Sequence, residues 1–152
     1  MTNIIIFAAQ YLYLFSIAFF IGYGCIANNK KQFLLVSLFA LPLAFLLGLI
    51  ASHLFYDPRP FMISGIAPLI PHAAGNGFPS NHALLTGTLA AIGTAFNPYV
   101  GVALWLLAFI VGIARVIANV HHGIDVIGSF SIAIVSVVAV QYFLKRYTIL
   151  GK

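Results

Sequence analysis

Residues 78–125 read FPSNHALLTGTLAAIGTAFNPYVGVALWLLAFIVGIARVIANVHHGID, and this stretch decides the fold. Polar residues open it at Pro79-Ser80-Asn81-His82 and close it at Arg115, His121, His122 and Asp125, with two long apolar runs between. Such runs read as membrane-spanning helices. Ionisable groups are costly next to lipid, so those that remain there are functional by default. Just upstream, Asp57-Pro58-Arg59-Pro60 adds a second arginine. Histidines, arginines and a carboxylate are a set of groups suited to phosphoryl transfer.

The whole chain fits this setting. Its 152 residues are 62% hydrophobic and 6% charged, with a mean hydropathy of +1.09, far too apolar for a soluble domain. A net charge of +5 invites a nucleic-acid partner, but seven basic residues scattered among apolar runs form no stripe that follows a phosphate backbone. The single cysteine, Cys25, excludes an intramolecular disulfide and any cysteine-based zinc site. The first apolar run lacks a basic n-region and a small-residue cleavage site, so it is expected to stay as a helix.

About five spans are expected: Ile4 to Ala27, Phe33 to Phe55, Ala83 to Phe96, Tyr99 to Ala118 and Ile124 to Leu144. The third is short; its Gly87, Ala90, Ala91, Gly93 and Ala95 suit close packing against neighbouring helices, and an interior core helix is equally consistent. Pro42 lies inside the second, where neighbouring helices can satisfy the freed carbonyl. Residues 57–80 form a long loop of the kind that carries function. With no repeat or linker, residues 1–152 read as one all-α, polytopic transmembrane domain. In an alternating bundle Arg59, His82, Arg115, His121 and Asp125 all reach one membrane face. The other face receives Lys30, Lys31, Lys145, Arg146 and Lys152, so by the positive-inside rule it is cytoplasmic and the site faces outward.

His121 and Asp125 are four apart, so on a helix they share a face and the carboxylate can orient the imidazole. The alternative is a pair that merely satisfies each other at the interface. His82 opens a helix after Pro79-Ser80-Asn81, where free amides and the helix dipole favour an anion beside an acid. Capping by Ser80 or Asn81 is expected as well. Arg59 and Arg115 fit a clamp on phosphate oxygens better than two separate interfacial anchors. His122, His72 and His53 are candidate substrate contacts, each with a structural or interfacial role as the alternative. A three-histidine metal site fits the composition, but the spacings match no compact ligand motif and only two carboxylates exist. The reading is chemistry without metal or cofactor.

These motifs resemble the three signatures of the type-2 phosphatidic-acid phosphatase superfamily: Asp57-Pro58-Arg59-Pro60, Pro79-Ser80-Asn81-His82, and Arg115 with His121 and Asp125. Tyr56 to Phe61, Leu69 to Ala74 and Phe78-Pro79-Ser80 are similar to bacterial undecaprenyl-diphosphate phosphatases of the bacitracin-resistance type. The resemblance spans roughly Phe55 to Val135. It implies His121 as a nucleophile forming a phosphohistidine, Asp125 as its orienting partner and His82 as the acid for the leaving oxygen. Arg59, Arg115, Ser80 and Asn81 would then hold the phosphoryl oxygens. The family lysine seven residues before Arg59 falls at Ser52, Ala114 replaces a common serine, His122-Gly123 stands for a Tyr-Pro pair, and Asn81 stands for glycine. That branch often carries Asp at the last position. The implied activity is removal of the terminal phosphate of undecaprenyl diphosphate at the outer face of a bacterial plasma membrane. The rivals are a phosphatidic acid or phosphatidylglycerophosphate phosphatase, a non-catalytic lipid-binding module and, more remotely, a vanadate haloperoxidase.

Overall fold

The structure, a computed structural model, describes residues 1–147. Lys152, assigned from sequence to the cytoplasmic face, lies outside the described residues. Seven helices follow one another: α1 (Thr2–Gln10), α2 (Leu12–Ile26), α3 (Lys30–Leu54), α4 (Pro60–Ser64), α5 (Asn81–Phe96), α6 (Pro98–Ile117) and α7 (Gly123–Arg146). The chain is an all-helical, multi-pass membrane bundle.

Two expected spans need correction. The first is not one helix: α1 and α2 meet at 47° around Tyr11. Both halves lie on α6, and α2 packs on α5 as well. The third, α5, has 16 residues, or about 24 Å of helix, against roughly 30 Å of bilayer hydrocarbon. Among the described residues only α3, α6 and α7 are long and apolar enough to cross alone, giving three spans, or four if the bent pair counts as one.

The short helix is the centre of the bundle. Nine of its residues are buried, among them Thr86, Gly87, Thr88, Ala90 and Gly93, and α2, α3, α6 and α7 all pack against it. Small side chains let the neighbours come close. A Cβ on Gly87 would lie 2.7 Å from the Phe130 ring, and one on Gly101 would lie 2.6 Å from the Thr94 Cα. The threonine hydroxyls are satisfied locally: Thr86 donates to the His82 carbonyl at 2.8 Å and Thr88 to the Leu84 carbonyl at 2.7 Å. Bulk is turned outward instead, with Leu38, Phe45, Ile50, Ile113, Ile134 and Val138 exposed as a lipid-facing surface. Driving forces follow: packing and internal hydrogen bonds hold the interior, because burial of apolar area gains little against lipid.

Helix ends are set by local chemistry. The Asn29 side chain accepts from the Gln32 amide at 3.1 Å, starting α3 three residues before the apolar run. Asn97 caps α6 through the Tyr99 and Val100 amides, with Pro98 in the first turn. The end of α6 is Asn119 with φ 62°, a left-handed stop. That stop sends Val120 and His121 back across the bundle toward α4 and α5.

Candidate active site

The site is assembled from three segments at one end of the bundle. The segment between α3 and α4 carries Asp57 and Arg59, the start of α5 carries Ser80, Asn81 and His82, and the turn from α6 to α7 carries Arg115, His121, His122 and Asp125. Lys30 and Arg146 sit at the far ends of α3 and α7, so the basic residues Lys30, Lys31, Lys145 and Arg146 lie at the opposite end of the bundle, as the sequence implies.

Asn76 closes the loop between Asp57 and Ser80. Its Oδ1 accepts from the amides of Asp57 and Phe78, both at 2.9 Å, and its Nδ2 donates to the carbonyls of Ser52 (2.8 Å) and Phe55 (2.9 Å). The next residue, Gly77, donates its amide to the Asp57 carbonyl at 2.7 Å. A Cβ there would sit 2.8 Å from Asp125 Oδ2, so only glycine lets this backbone approach so closely.

His121 is 3% exposed and Asp125 0%. The imidazole Nδ1–H donates to the Gly77 carbonyl at 2.9 Å and to Asp125 Oδ2 at 3.3 Å. These acceptors fix the tautomer and leave Nε2 as the acceptor nitrogen. Two guanidiniums bracket that nitrogen: Arg59 Nη1 at 3.4 Å and Arg115 Nη2 at 3.3 Å. Burial lowers the His121 pKa from its ordinary value; the Asp125 hydrogen bond works against this, and Arg115 and Arg59 lower it further. The ring is therefore held neutral, as a nucleophile requires. One detail departs from the sequence reading: α7 begins at Gly123, so His121 lies in the preceding turn rather than on a shared helical face. The contact survives because Asp125 Oδ2 also takes the His122 amide at 2.9 Å, closing the helix start over His121.

Both arginines lack an acidic partner. Among the described residues the ion pairs within 4.0 Å are His121 with Asp125 and His122 with Asp57, and neither includes a guanidinium. Arg59 Nη1 donates to the Val120 carbonyl at 2.9 Å, and Arg115 Nη1 to the Ala9 carbonyl at 3.2 Å. The Nε groups of both are buried with no acceptor. Burial also lowers the Arg59 pKa, against the attraction of Asp125. Two neighbouring guanidiniums, Arg115 buried and Arg59 partly so, with no carboxylate within 4.0 Å among the described residues, favour an anion between them.

Ser80 is 0% exposed and its Oγ is a third unpartnered polar atom. The expected capping by Ser80 or Asn81 is not observed: no side chain caps α5. Ser80 is instead tied to α7 through its backbone, its carbonyl accepting from Ser129 Oγ at 3.0 Å and its amide donating to the Asp125 carbonyl at 3.4 Å. The first-turn amides of α5 thus stay available to a ligand. Asn81 is exposed in that turn, and the His82 ring lies perpendicular to Tyr13, centroids 4.8 Å apart.

The three remaining histidines part ways. His72 Nε2 accepts from Arg115 Nη2 at 2.8 Å, and its ring stands 5.9 Å from that of His121. Burial first, then the charges of Arg59, Arg115 and His121, push its pKa down to about 4, so it is a neutral acceptor in the anion region. His122 Nδ1 pairs with Asp57 Oδ2 at 2.8 Å, tying the first motif to the third. His53 is exposed with Nδ1 on the Leu49 carbonyl, 2.8 Å away, and the structure does not bring it into the site. Asp57, His122 and Asp125 offer ligand atoms within 4.8 Å of one another. That set could hold a metal ion, and no sequence spacing announces it because the loop closure brings it together. Sequence reasoning also missed Asn76, Gly77, Tyr13 and the Ala9 carbonyl. Asn76-Gly77 is a turn dipeptide; nothing marks the other two.

The chain is 37% identical over 94 residues to undecaprenyl-diphosphatase BcrC of Bacillus subtilis (strain 168), covering 58% of this chain and 48% of that protein. It is 29% identical over 136 residues to bacitracin transport permease protein BcrC of Bacillus licheniformis, covering 88% and 66%. It thus spans about half to two thirds of the length of these relatives. The crystal structure of Aquifex aeolicus LpxE superposes with a TM-score of 0.69 at 24% identity, covering 93% of this chain and 82% of that one, a likeness of fold. The family profile described as PAP2 superfamily matches residues 33–149, which hold all three motifs, and the chain belongs to the PAP2 superfamily.

Proposed function

We propose that this single-domain membrane protein is a lipid phosphatase that removes the terminal phosphate of undecaprenyl diphosphate on the outer face of a bacterial plasma membrane. One observation carries the reading: a neutral, buried imidazole whose Nε2 accepts, at 3.3 and 3.4 Å, from two guanidiniums that have no carboxylate partner within 4.0 Å. A phosphoryl group seated there places its phosphorus before a nucleophile and its oxygens on the clamp.

In the proposed cycle His121 Nε2 attacks phosphorus and the bond to the leaving oxygen breaks, with His82 supplying a proton to that oxygen where it needs one. Asp125 stabilises the positive charge that develops on the imidazole. Water then attacks phosphorus, the P–N bond to His121 breaks, the water's proton passes to the deprotonated His82 imidazole or to solvent, and inorganic phosphate departs. Arg59, Arg115, Ser80 and the amides of Asn81 and His82 hold the equatorial oxygens. His72, released from Arg115, turns the N–H of its neutral ring to an oxygen of the inner phosphate. No metal or cofactor enters the cycle. The substrate class rests on the names of the Bacillus relatives and on charge: a diphosphate brings more negative charge and a better leaving group, which suits a clamp with Ser52 in place of the family lysine. The outward orientation rests on Lys30, Lys31, Lys145 and Arg146 at the far end.

Phosphate release from detergent-solubilised protein tests both levels. Farnesyl or undecaprenyl diphosphate should be cleaved with a higher kcat/KM than phosphatidic acid or phosphatidylglycerophosphate. A monoester that outpaces every diphosphate would move the assignment to a glycerolipid phosphatase. No release from any of them would leave a lipid-binding module.

A further inference from the structure

The family profile begins at residue 33, yet the site is bordered by residues that precede it. At the break between α1 and α2 the Ala9 carbonyl accepts from Arg115 Nη1 at 3.2 Å. One turn further on, the Tyr13 ring stands against His82, centroids 4.8 Å apart and planes at 89°.

The local chain explains how both are reached. Ala8 and Ala9 pack with Ala114, Ala118 and Val120, and alanines on both sides bring α1 close enough for a backbone carbonyl to meet a guanidinium from α6. Beyond the break Tyr13, Ser16, Ile17 and Phe20 recur at three- and four-residue spacing as the inward stripe of α2, which runs along α5. With a 47° bend between them, α1 lies on α6 and α2 reaches α5 while still touching α6.

We propose that Tyr13 is a positioning residue for His82, holding the imidazole in the orientation from which it protonates the leaving oxygen. The proposal rests on the phosphatase reading above. In the step concerned His121 Nε2 bonds to phosphorus, the bond to the leaving oxygen breaks, and the proton on His82 passes to that oxygen. Edge-to-face contact restricts rotation of the imidazole about its last torsion, which otherwise has a broad, two-fold profile. Geometry of this kind governs proton transfer more than it governs ground-state binding. The ring, not the hydroxyl, makes the contact, so phenylalanine should serve in its place.

The test compares two phosphate monoesters that differ in their need for an acid. Dioctanoyl phosphatidic acid expels an alkoxide and depends on protonation; p-nitrophenyl phosphate expels a stable phenolate and does not. Tyr13→Leu and Tyr13→Ile, which keep bulk but remove the ring, should lower kcat on dioctanoyl phosphatidic acid by about tenfold or more, with KM little changed. Both variants should leave p-nitrophenyl phosphate hydrolysis near wild type. His82→Ala should lose more of its kcat on dioctanoyl phosphatidic acid than either of these variants, and Tyr13→Phe should retain activity on both esters. Equal losses on the two esters, or a loss confined to KM, would overturn the proposal while leaving the phosphatase intact. Absence of hydrolysis of both esters and of farnesyl diphosphate by the wild-type protein would instead remove the phosphatase reading, and this proposal with it; cleavage of the diphosphate with neither ester would leave His82 no protonation step to support and would overturn this proposal alone.

Discussion

His121→Ala should abolish phosphate release, and Asp125→Asn should lower kcat by roughly 10²- to 10⁴-fold with folding preserved, because the amide keeps the volume but not the charge that orients the imidazole and stabilises its cationic form. Full activity in His121→Ala would transfer the nucleophile to another group, and His122 is the nearest histidine in sequence. The pH dependence follows from the same ring. His121 must be unprotonated to attack, and burial with two guanidiniums holds its pKa below the ordinary 6.5. Activity should therefore persist below that value and fall only as pH drops further, through the lowered pKa. A kcat/KM profile with its acid limb at or above pH 6.5 would contradict this. Much of the chemistry is legible at this scale because His82, Arg115, His121 and Asp125 are ionisable residues in an apolar chain, where every such residue needs a reason. The His122–Asp57 pair is not legible. Its members are 65 residues apart, and only the closed loop makes them neighbours.

The loop between α3 and α5 owes its shape to Asn76, whose four hydrogen bonds join the end of α3 to the first motif. Asn76→Ala should destabilise the protein by about 2–3 kcal/mol, at roughly 1 kcal/mol for each net bond and allowing for partial exposure, seen as a lower melting temperature in detergent. It should also reduce turnover, since Gly77 then loses its hold on His121. Orientation is tested at the helix ends. With Cys25 changed to serine, Ala67→Cys should react with a membrane-impermeant maleimide in intact cells, and Asn28→Cys only after lysis; the reverse pattern would invert the topology. The cap at Asn29, the stop at Asn119 and the turn at Asn97-Pro98 follow local rules. The kink at Tyr11 follows from no local breaker, since neither proline nor glycine lies within residues 2–21. It is a tertiary feature, produced by the need to lie on two partners, and apolar content alone could not reveal it.

For the molecule as a whole, bulky apolar side chains cover the outside of a packed bundle, so in the proposed reaction a polyprenyl tail would remain in lipid while only its phosphates enter. Recognition then rests on the headgroup, and shortening the chain from undecaprenyl to farnesyl should alter KM far more than kcat; a comparable fall in kcat would mean that the tail helps form the transition state. Turnover should also survive EDTA. Loss of activity that added divalent cation restores would point to the Asp57, His122 and Asp125 cluster. Sequence gave access to the helical class and to the convergence of three motifs at one end, since both depend on alternation of apolar runs. It did not separate a helix that crosses the bilayer from one enclosed by others, because α5 and its neighbours share the same apolar composition. The bend near Tyr11 bears, finally, on where this protein can be cut or grafted. A chimera that exchanged the first 26 residues for an unrelated membrane anchor would keep every signature motif and align as well as before, yet its arginine clamp and its acid would each have lost a wall. Modularity judged by alignment would call the two parts separable; the catalytic end of the bundle would not.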